Sequence, residues 1–248
     1  MSILFHLGKL SEEVIISKMR SKLEDVIEPA QFAYQPHIGT VDALIKLLDD
    51  FTSELDNPNV NYIQSAALDF LKASDRLQPA VLIQKVEGYN FNPRIISLIS
   101  SILDNRLQCV KYGNEQSQYI STKVGAPQGT KLGPILWLLY SNDLAADGFN
   151  HIKYADDTTF YTSVVNPNHT SAIASSVLST QQWATDNNMQ LNSEKTEVMN
   201  TNLSYKLNYE QDVVIDDFSL SPNAHTKFFG VFIDNKLSFN KHVDFLVT

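Results

Sequence analysis

Apolar residues recur at helical spacing along much of the chain, and short β-branched or apolar runs separate these stretches. Ser11 to Ile27 reads as an amphipathic helix with Ser11 as N-cap, Glu12 and Glu13 in its first turn, and Val14, Ile15, Met19 and Leu23 on one face. Glu28-Pro29 ends it. A Pro- and Gly-containing loop from Gln31 to Thr40 precedes a second helix, Val41 to Leu55, with Leu44, Leu47, Leu48 and Phe51 inward. Further helices are predicted over Pro79–Glu87, Pro93–Leu103, Gly133–Leu144, Asn168–Met189 and Phe239–Thr248. Prolines at the starts of three of these suit a first-turn position.

Between the helices, Tyr62 to Phe70 reads as a buried strand. Arg106 to Thr122 reads as a hairpin turning at Gly113-Asn114, with Cys109 packed inside an apolar strand. Ile152 to Tyr161 reads as a second hairpin. Strands also fit Thr196–Asn200, Val213–Ile215 and Lys227–Ile233. Helices and strands mixed in this way predict an α+β fold with an antiparallel sheet backed by helices.

Two of the strands carry acids where burial is costly. Asp69 sits at the end of an apolar strand, a place that needs a paired or metal-bound carboxylate. Asp156 and Asp157 sit at the tip of the later hairpin. An Asp-Asp turn alone is compatible with plain solvation. Three carboxylates at one sheet edge, however, are the oxygen ligands that Mg²⁺ prefers. His37, in the first loop, is a second and weaker candidate for chemistry.

Composition narrows the setting. The chain has 248 residues, is 43% hydrophobic and has one cysteine, Cys109, which excludes an internal disulfide framework and a cysteine zinc site. No apolar run reaches membrane-span length and nothing at the N-terminus resembles a signal peptide, so an intracellular protein, cytoplasmic or nuclear, is expected. The net charge is −9. From Asp69 to Ser141, eight basic residues face five acids, so a mildly basic middle lies between acidic flanks. That distribution is compatible with a polyanion groove, although the overall balance disfavours a generic nucleic-acid binder.

Taken in order, these stretches resemble the reverse transcriptase domain of non-long-terminal-repeat retrotransposons. Gln31 to Leu44 resembles its fingers segment. Leu68-Asp69-Phe70-Leu71-Lys72-Ala73-Ser74-Asp75-Arg76 resembles the first palm motif, and Gly125-Ala126-Pro127-Gln128-Gly129 the second. Tyr154-Ala155-Asp156-Asp157 is the third. Trp183 to Lys195 resembles the fourth and Phe228-Phe229-Gly230-Val231 the primer-grip hairpin. The match runs from about Leu7 to the C-terminus.

The resemblance implies a right-hand polymerase palm, with partial fingers over residues 1–60, palm over 61–248 and the thumb largely absent, together with the endonuclease and the N-terminal fingers extension. It implies an RNA-directed DNA polymerase that adds deoxynucleotides to a primer on an RNA template. Asp69, Asp156 and Asp157 are the implied catalytic and metal-binding residues, for two Mg²⁺ ions or Mn²⁺. Phe70, Ser74, Gln128, Gly129 and Lys195 are the implied nucleotide- and template-binding residues, and Phe229 and Gly230 the implied primer grip. A solvated Lys195, or a plain core strand at Phe229, remains open on the residues alone.

Two positions depart from the family pattern. A basic run is usual after the fingers aromatic, and Gln35 stands there, without the fork of donors that arginine gives a phosphate. Ser74 occupies the place of an aromatic that excludes a 2′-hydroxyl. Two readings therefore follow: a working polymerase domain, or an inactive remnant that keeps the palm fold as a binding or structural protein. An RNA-templated RNA polymerase is a third, favoured only by the open space at Ser74.

Overall fold

The computed structural model describes residues 6–146, 148–166, 172–204, 212–215 and 218–247. Its elements run α1 (His6–Val26), α2 (Thr40–Leu55), β1 (Tyr62–Leu68), α3 (Ala73–Arg76), α4 (Pro79–Gly88), α5 (Pro93–Leu103), β2 (Arg106–Gln108), β3 (Lys111–Tyr112), β4 (Glu115–Gln116) and β5 (Ile120–Thr122). There follow α6 (Leu132–Ser141), β6 (Asn150–Tyr154), β7 (Asp157–Val164), α7 (Ala172–Asp186), β8 (Glu197–Thr201), β9 (Val213–Ile215), β10 (Phe218–Leu220), β11 (His225–Phe228), β12 (Val231–Asp234) and α8 (Asn240–Val247). They form two compact units that interleave in sequence. One comprises Met1–Glu28, Lys72–Asp143 and Asn187–Met189; the other comprises Pro29–Leu71, Leu144–Asp186 and Gln190–Thr248.

The second unit is built on a four-stranded antiparallel sheet in the order β6-β7-β1-β8. Successive residues of a strand face opposite sides, and here both sides are covered. On one side Ile63, Ile152, Tyr161 and Met199 pack with Ala43, Leu47 and Phe51 of α2. On the other, Ala66, Leu68, Phe160 and Val198 pack with Ile173, Ala174 and Val177 of α7. Covering on both sides explains why β1 reads as a nearly unbroken apolar run rather than an alternation. Its two polar residues are satisfied internally. The Gln64 carboxamide donates to Asn200 Oδ1 at 3.2 Å and accepts from the Ile173 amide at 3.2 Å, and Ser65 Oγ donates to the Met199 carbonyl at 3.3 Å.

The first unit gathers helices around α6, in which Leu132, Leu136, Trp137, Leu138, Leu139 and Tyr140 are all buried. α1 begins five residues before the expected Ser11; Ile15 and Met19 of the expected face are buried, while Val14 turns outward. Gly8 in an early turn costs only about 1 kcal/mol, too little to stop a helix. Glu12, only 5% exposed, takes the place expected for Val14, which is 60% exposed. The burial is tolerated because Glu12 Oε2 accepts the Lys131 amide at 2.9 Å where α6 begins. α6 ends at Ser141 rather than Leu144, and Asn142 turns to cap α1: its Oδ1 accepts from the Glu28 amide at 3.0 Å and its Nδ2 donates to the Val26 carbonyl at 2.9 Å.

The hairpin expected over Arg106–Thr122 splits into an outer ladder, Lys111↔Gln116, and an inner one, Arg106↔Thr122. Its apolar residues face solvent, Tyr112 at 86% exposure, so Cys109 is half-buried rather than packed in a core. α7 ends at Asp186, short of the expected Met189, where Asn188 adopts φ 54° and breaks the helix. Residues 168–171 of that expected helix lie outside the described residues. Lys227–Ile233 is not one strand but two, β11 and β12, turning at Phe229-Gly230.

Phe160→Ala, which empties a fully buried position between the sheet and α7, is expected to cost about 3–5 kcal/mol, read by denaturant unfolding. Leu107→Ser, on the exposed hairpin, should stay within about 0.5 kcal/mol.

Candidate active site

The register of the central strands decides where the acids stand. β1 and β7 pair from Tyr62↔Val164 to Leu68↔Thr158. The ladder ends there, and Asp69, the residue after β1, follows at the end of the sheet where Asp157 opens β7. β6 and β7 are closed by a two-residue turn, Ala155-Asp156, flanked by the pair Tyr154↔Asp157. Ala155 carries φ 59°, the sign required at the first central position of a type II′ hairpin turn. All three predicted carboxylates therefore meet at one end of one sheet, within one unit.

Asp69 is fixed by the loop before β8. Asn192 Nδ2 donates to Asp69 Oδ2 at 2.9 Å, and the Asn192 amide donates to the Asp69 carbonyl at 2.8 Å. The same loop carries Lys195, whose ammonium lies 3.7 Å from Asp69 Oδ2. Thr196 N and Oγ1 both donate to the Asn192 carbonyl at 2.9 Å, which closes the turn that aims Lys195. Sequence reasoning reached Lys195 but missed Asn192. The available signal was an Asn opening a polar turn, where its side chain commonly bonds nearby backbone.

Partial desolvation, then the carboxylates of Asp156 and Asp69, hold the Asp157 carboxyl above the usual carboxylate range, while Lys195 pulls it back down. Tyr34 stands at the same turn. Desolvation and then the charge of Asp156 push its phenol upward. Gln31 reaches this turn as well. Neither Gln31 nor Tyr34 was assigned a role from sequence.

The other predicted residues divide between the units. Phe229 and Gly230 have φ 48° and 93°, both positive as a type I′ turn requires, and a glycine suits the second. The Phe229 ring enters the core and lies 6.3 Å from the ring of Tyr154. Phe70, expected beside the nucleotide, is only 3% exposed and packs edge-on against Trp183 at 5.7 Å. Its ring is a packing element. Ser74, Gln128 and Gly129 belong to the first unit. There the Ala126 amide donates to the Ser74 carbonyl at 2.7 Å, and Gln128 Nε2 donates to Asp75 Oδ1 at 2.6 Å. Gly125, at φ 83°, lies so close to this segment that a Cβ would come within 2.9 Å of the Asp75 carbonyl oxygen. The Arg106 guanidinium donates to the carbonyls of Val124 and Gly125 at 2.7 and 2.6 Å and so fixes the start of the loop, a tie that the sequence did not reveal.

Charge is unevenly shared. The unit with the three acids holds seven Lys or Arg against eighteen Asp or Glu, and the other holds twelve against ten. The hard oxygen donors and their mutual repulsion suit a divalent cation. Among the described residues no three acidic, histidine or cysteine side chains converge on one ion-sized point. Asp69 is turned toward Asn192 and Lys195, so Lys195 and a cation would compete for the same oxygen.

The model of the family described as reverse transcriptase (RNA-dependent DNA polymerase) matches residues 1–233. This chain belongs to the reverse transcriptase family. Among curated relatives, the RNA-directed DNA polymerase from mobile element jockey of Drosophila melanogaster is 25% identical over 98% of the chain, which spans 27% of that protein. The probable RNA-directed DNA polymerase from transposon X-element of the same species is 27% identical, with the same coverage of each. The Pol polyprotein from the type-1 element R1 of Bradysia coprophila is 25% identical, and the chain spans 24% of it. The chain thus spans about a quarter of the length of the relatives it matches. Among solved structures, telomerase from Candida tropicalis, determined with a fragment of telomeric RNA, superimposes with a TM-score of 0.63 at 15% identity, over 94% of this chain and 37% of the telomerase chain. Telomerase from Candida albicans gives 0.59 at 16% identity, over 94% and 38%. These likenesses show the fold: the reverse transcriptase palm, an antiparallel sheet packed on helices.

Two outcomes follow for this reverse transcriptase palm. Because the Asp157 pKa is raised on folding, the native state holds its proton more tightly, and stability falls as pH rises from the unfolded carboxylate range through the native one. Asp157→Asn is therefore expected to raise Tm at pH 7, with the gain fading at about pH 3. An equal gain at both pH values contradicts the electrostatic cause. Lys195→Ala is expected to tighten Mn²⁺ binding to the nucleic-acid-free protein about two- to fivefold by titration calorimetry, because the competing ammonium is gone. Unchanged or weaker binding contradicts the competition.

Proposed function

We propose that this reverse transcriptase domain extends a primer 3′-end with deoxynucleotides on an RNA template by two-metal nucleotidyl transfer. The observation that carries the reading is the β1–β7 register, which brings Asp69 to the Asp156-Asp157 turn. In the transfer, the primer 3′-oxygen bonds the α-phosphorus as the bond to the departing pyrophosphate breaks, and the hydroxyl proton is lost. Bound Mg²⁺ or Mn²⁺ would acidify that hydroxyl and offset charge on the leaving group. Asp69 and Asp156 offer the carboxylate oxygens that hold such ions, with Asp157 beside them. Asn192 keeps Asp69 from turning away. Lys195, exposed and 3.7 Å from Asp69 Oδ2, would give up that contact to a bound ion and offer its proton to phosphate oxygens. Likeness to the family motifs supports nucleotide- and template-binding roles for Ser74, Gln128 and Gly129, and a primer-positioning role for the Phe229-Gly230 turn. The lone cysteine and the absence, among described residues, of a helix long and apolar enough to cross a membrane are compatible with an intracellular setting.

A second reading, a non-catalytic remnant that keeps the palm as a binding protein, is favoured by Gln35, by Ser74 and by the acidic balance of the sheet-bearing unit. Asp69→Ala and Asp156→Ala are expected to keep the fold in either reading: each removes one of several like charges, and Asp69→Ala also gives up the Asn192 hydrogen bond.

Primer extension on an RNA template with Mg²⁺ or Mn²⁺ separates the two. Polymerisation that falls by at least about a thousandfold in Asp69→Ala and Asp156→Ala, with both proteins still folded, supports catalysis. Activity that persists in either variant overturns the metal assignment, and folded wild-type protein without extension favours the remnant. Ser74 is exposed, so Ser74→Phe is expected to raise selectivity for deoxyribonucleotides over ribonucleotides in the same assay; unchanged selectivity removes its role as a gate.

A further inference from the structure

We infer that Gln31 is a positioning residue for the catalytic turn: its buried carboxamide oxygen holds the Ala155 amide and so fixes where Asp156 and Asp157 stand. The importance of that position rests on the metal-binding role proposed for Asp156; the hydrogen bond does not.

In a two-residue hairpin turn, the amide of the first central residue belongs to neither strand of the ladder. Here that amide is Ala155. Gln31 Oε1 accepts from it at 3.2 Å and from the Ala33 amide at 2.9 Å. The acceptor is not a wandering surface group, because Gln31 is only 3% exposed. Its backbone is zipped to β6: the Lys153 amide donates to the Ala30 carbonyl at 2.8 Å, and the Phe32 amide donates to the Lys153 carbonyl at 2.9 Å. These bonds form a parallel bridge between Gln31 and Lys153, two residues before the turn. Gln35 Nε2 donates to the Gln31 carbonyl and ties the following loop to the same point.

Ala155 needs such a hold. It carries φ 59°, a conformation that an alanine disfavours and a glycine accepts freely. A side-chain acceptor delivered from a segment more than a hundred residues away supplies that hold, and it does so beside the two acids. A side chain of that length with an sp² oxygen at its end is required. Methionine has the length without the oxygen; glutamate has both.

Two further features give the contact a directional sense. Tyr34 and His37, in the loop that Gln31 opens, also have positive φ, 59° and 64°. The Tyr34 phenol lies within the field of Asp156. The loop and the catalytic turn are therefore a single hydrogen-bonded body, and displacement of one displaces the other. Gln31 acts through the turn, not on substrate.

The test is amide hydrogen exchange by NMR on the whole chain, joined to Mn²⁺ binding by calorimetry. In the wild type, the Ala155 amide is expected to be protected although it belongs to no strand ladder. In Gln31→Met its exchange should quicken about tenfold while Ala66 and Phe160, in the sheet, keep their rates; Mn²⁺ affinity should fall about three- to tenfold. Gln31→Glu should restore protection at Ala155. Rapid exchange at Ala155 in the wild type overturns the proposal without any variant, and remains decisive if Gln31→Met does not fold. Equal loss of protection at Ala155, Ala66 and Phe160 also overturns it, since Gln31 would then be a general stabiliser. Faster Ala155 exchange with unchanged Mn²⁺ affinity overturns the positioning role. If the wild type binds no Mn²⁺, the proposed function fails, and the exchange data still decide the hydrogen bond.

Discussion

Antiparallel pairing of β1 with β7 is the constraint on which the carboxylate-bearing end of this palm depends. The side-chain period of a strand is two, so a slip of one residue would carry Asp69 to the other face and exchange the sets of residues that meet α2 and α7. Ile63 and Tyr161 pack on one side, Ala66 and Phe160 on the other, and both helices thereby resist that slip. The fold holds three carboxylates together by apolar burial that has no direct part in their chemistry. Desolvation first, and then the neighbouring carboxylates, hold the Asp157 carboxyl above its usual range. Such a cluster of like charges is a weakness that a bound cation would offset.

Around that pairing, the site is assembled from loops that bond through side chains. Asn192 fixes Asp69, and Gln31 fixes the turn that carries Asp156. Each is a neutral group, so each restrains a carboxylate region without neutralising it. Lys195 is the exception, a cation that reaches Asp69 when no other does. The acidic surplus of this unit means that a nucleic acid approaching it meets net repulsion, which bound cations would reduce. Strong dependence on divalent ion concentration is the physical expectation for such a surface.

Much of the fold was legible because local signals were strong. Proline starts and apolar periodicity gave α5 its observed limits, Pro93 to Leu103, and placed α4 within a residue. The apolar run ending at Asp69, and the β-branched run after Asp157, marked the two strands that matter most. What escaped depends on partners distant in sequence. Glu12 is buried because a backbone amide of Lys131 satisfies it, and no periodicity announces that. Cys109 sits in an apolar run that looks like core, yet its hairpin is exposed. Phe70 lies beside Asp69 in sequence while its ring packs in the interior against Trp183. Gln31 and Asn192 look like ordinary loop polar residues until their hydrogen bonds are seen. The interleaving of the two units, with residues 29–71 in the sheet-bearing unit, likewise follows from contacts between segments distant in sequence.

The central claim is that two acidic loci far apart in sequence form a single cation site because one register brings them together. Iron-directed backbone cleavage tests it most directly: Fe²⁺ takes the place of Mg²⁺, and ascorbate with peroxide generates hydroxyl radicals at the bound ion. Cleavage is predicted near both Asp69 and Asp156-Asp157, competed away together by Mg²⁺ and lost at both places in Asp69→Ala or Asp156→Ala. Cleavage confined to one locus, or at one locus independent of the other's carboxylate, would contradict the account.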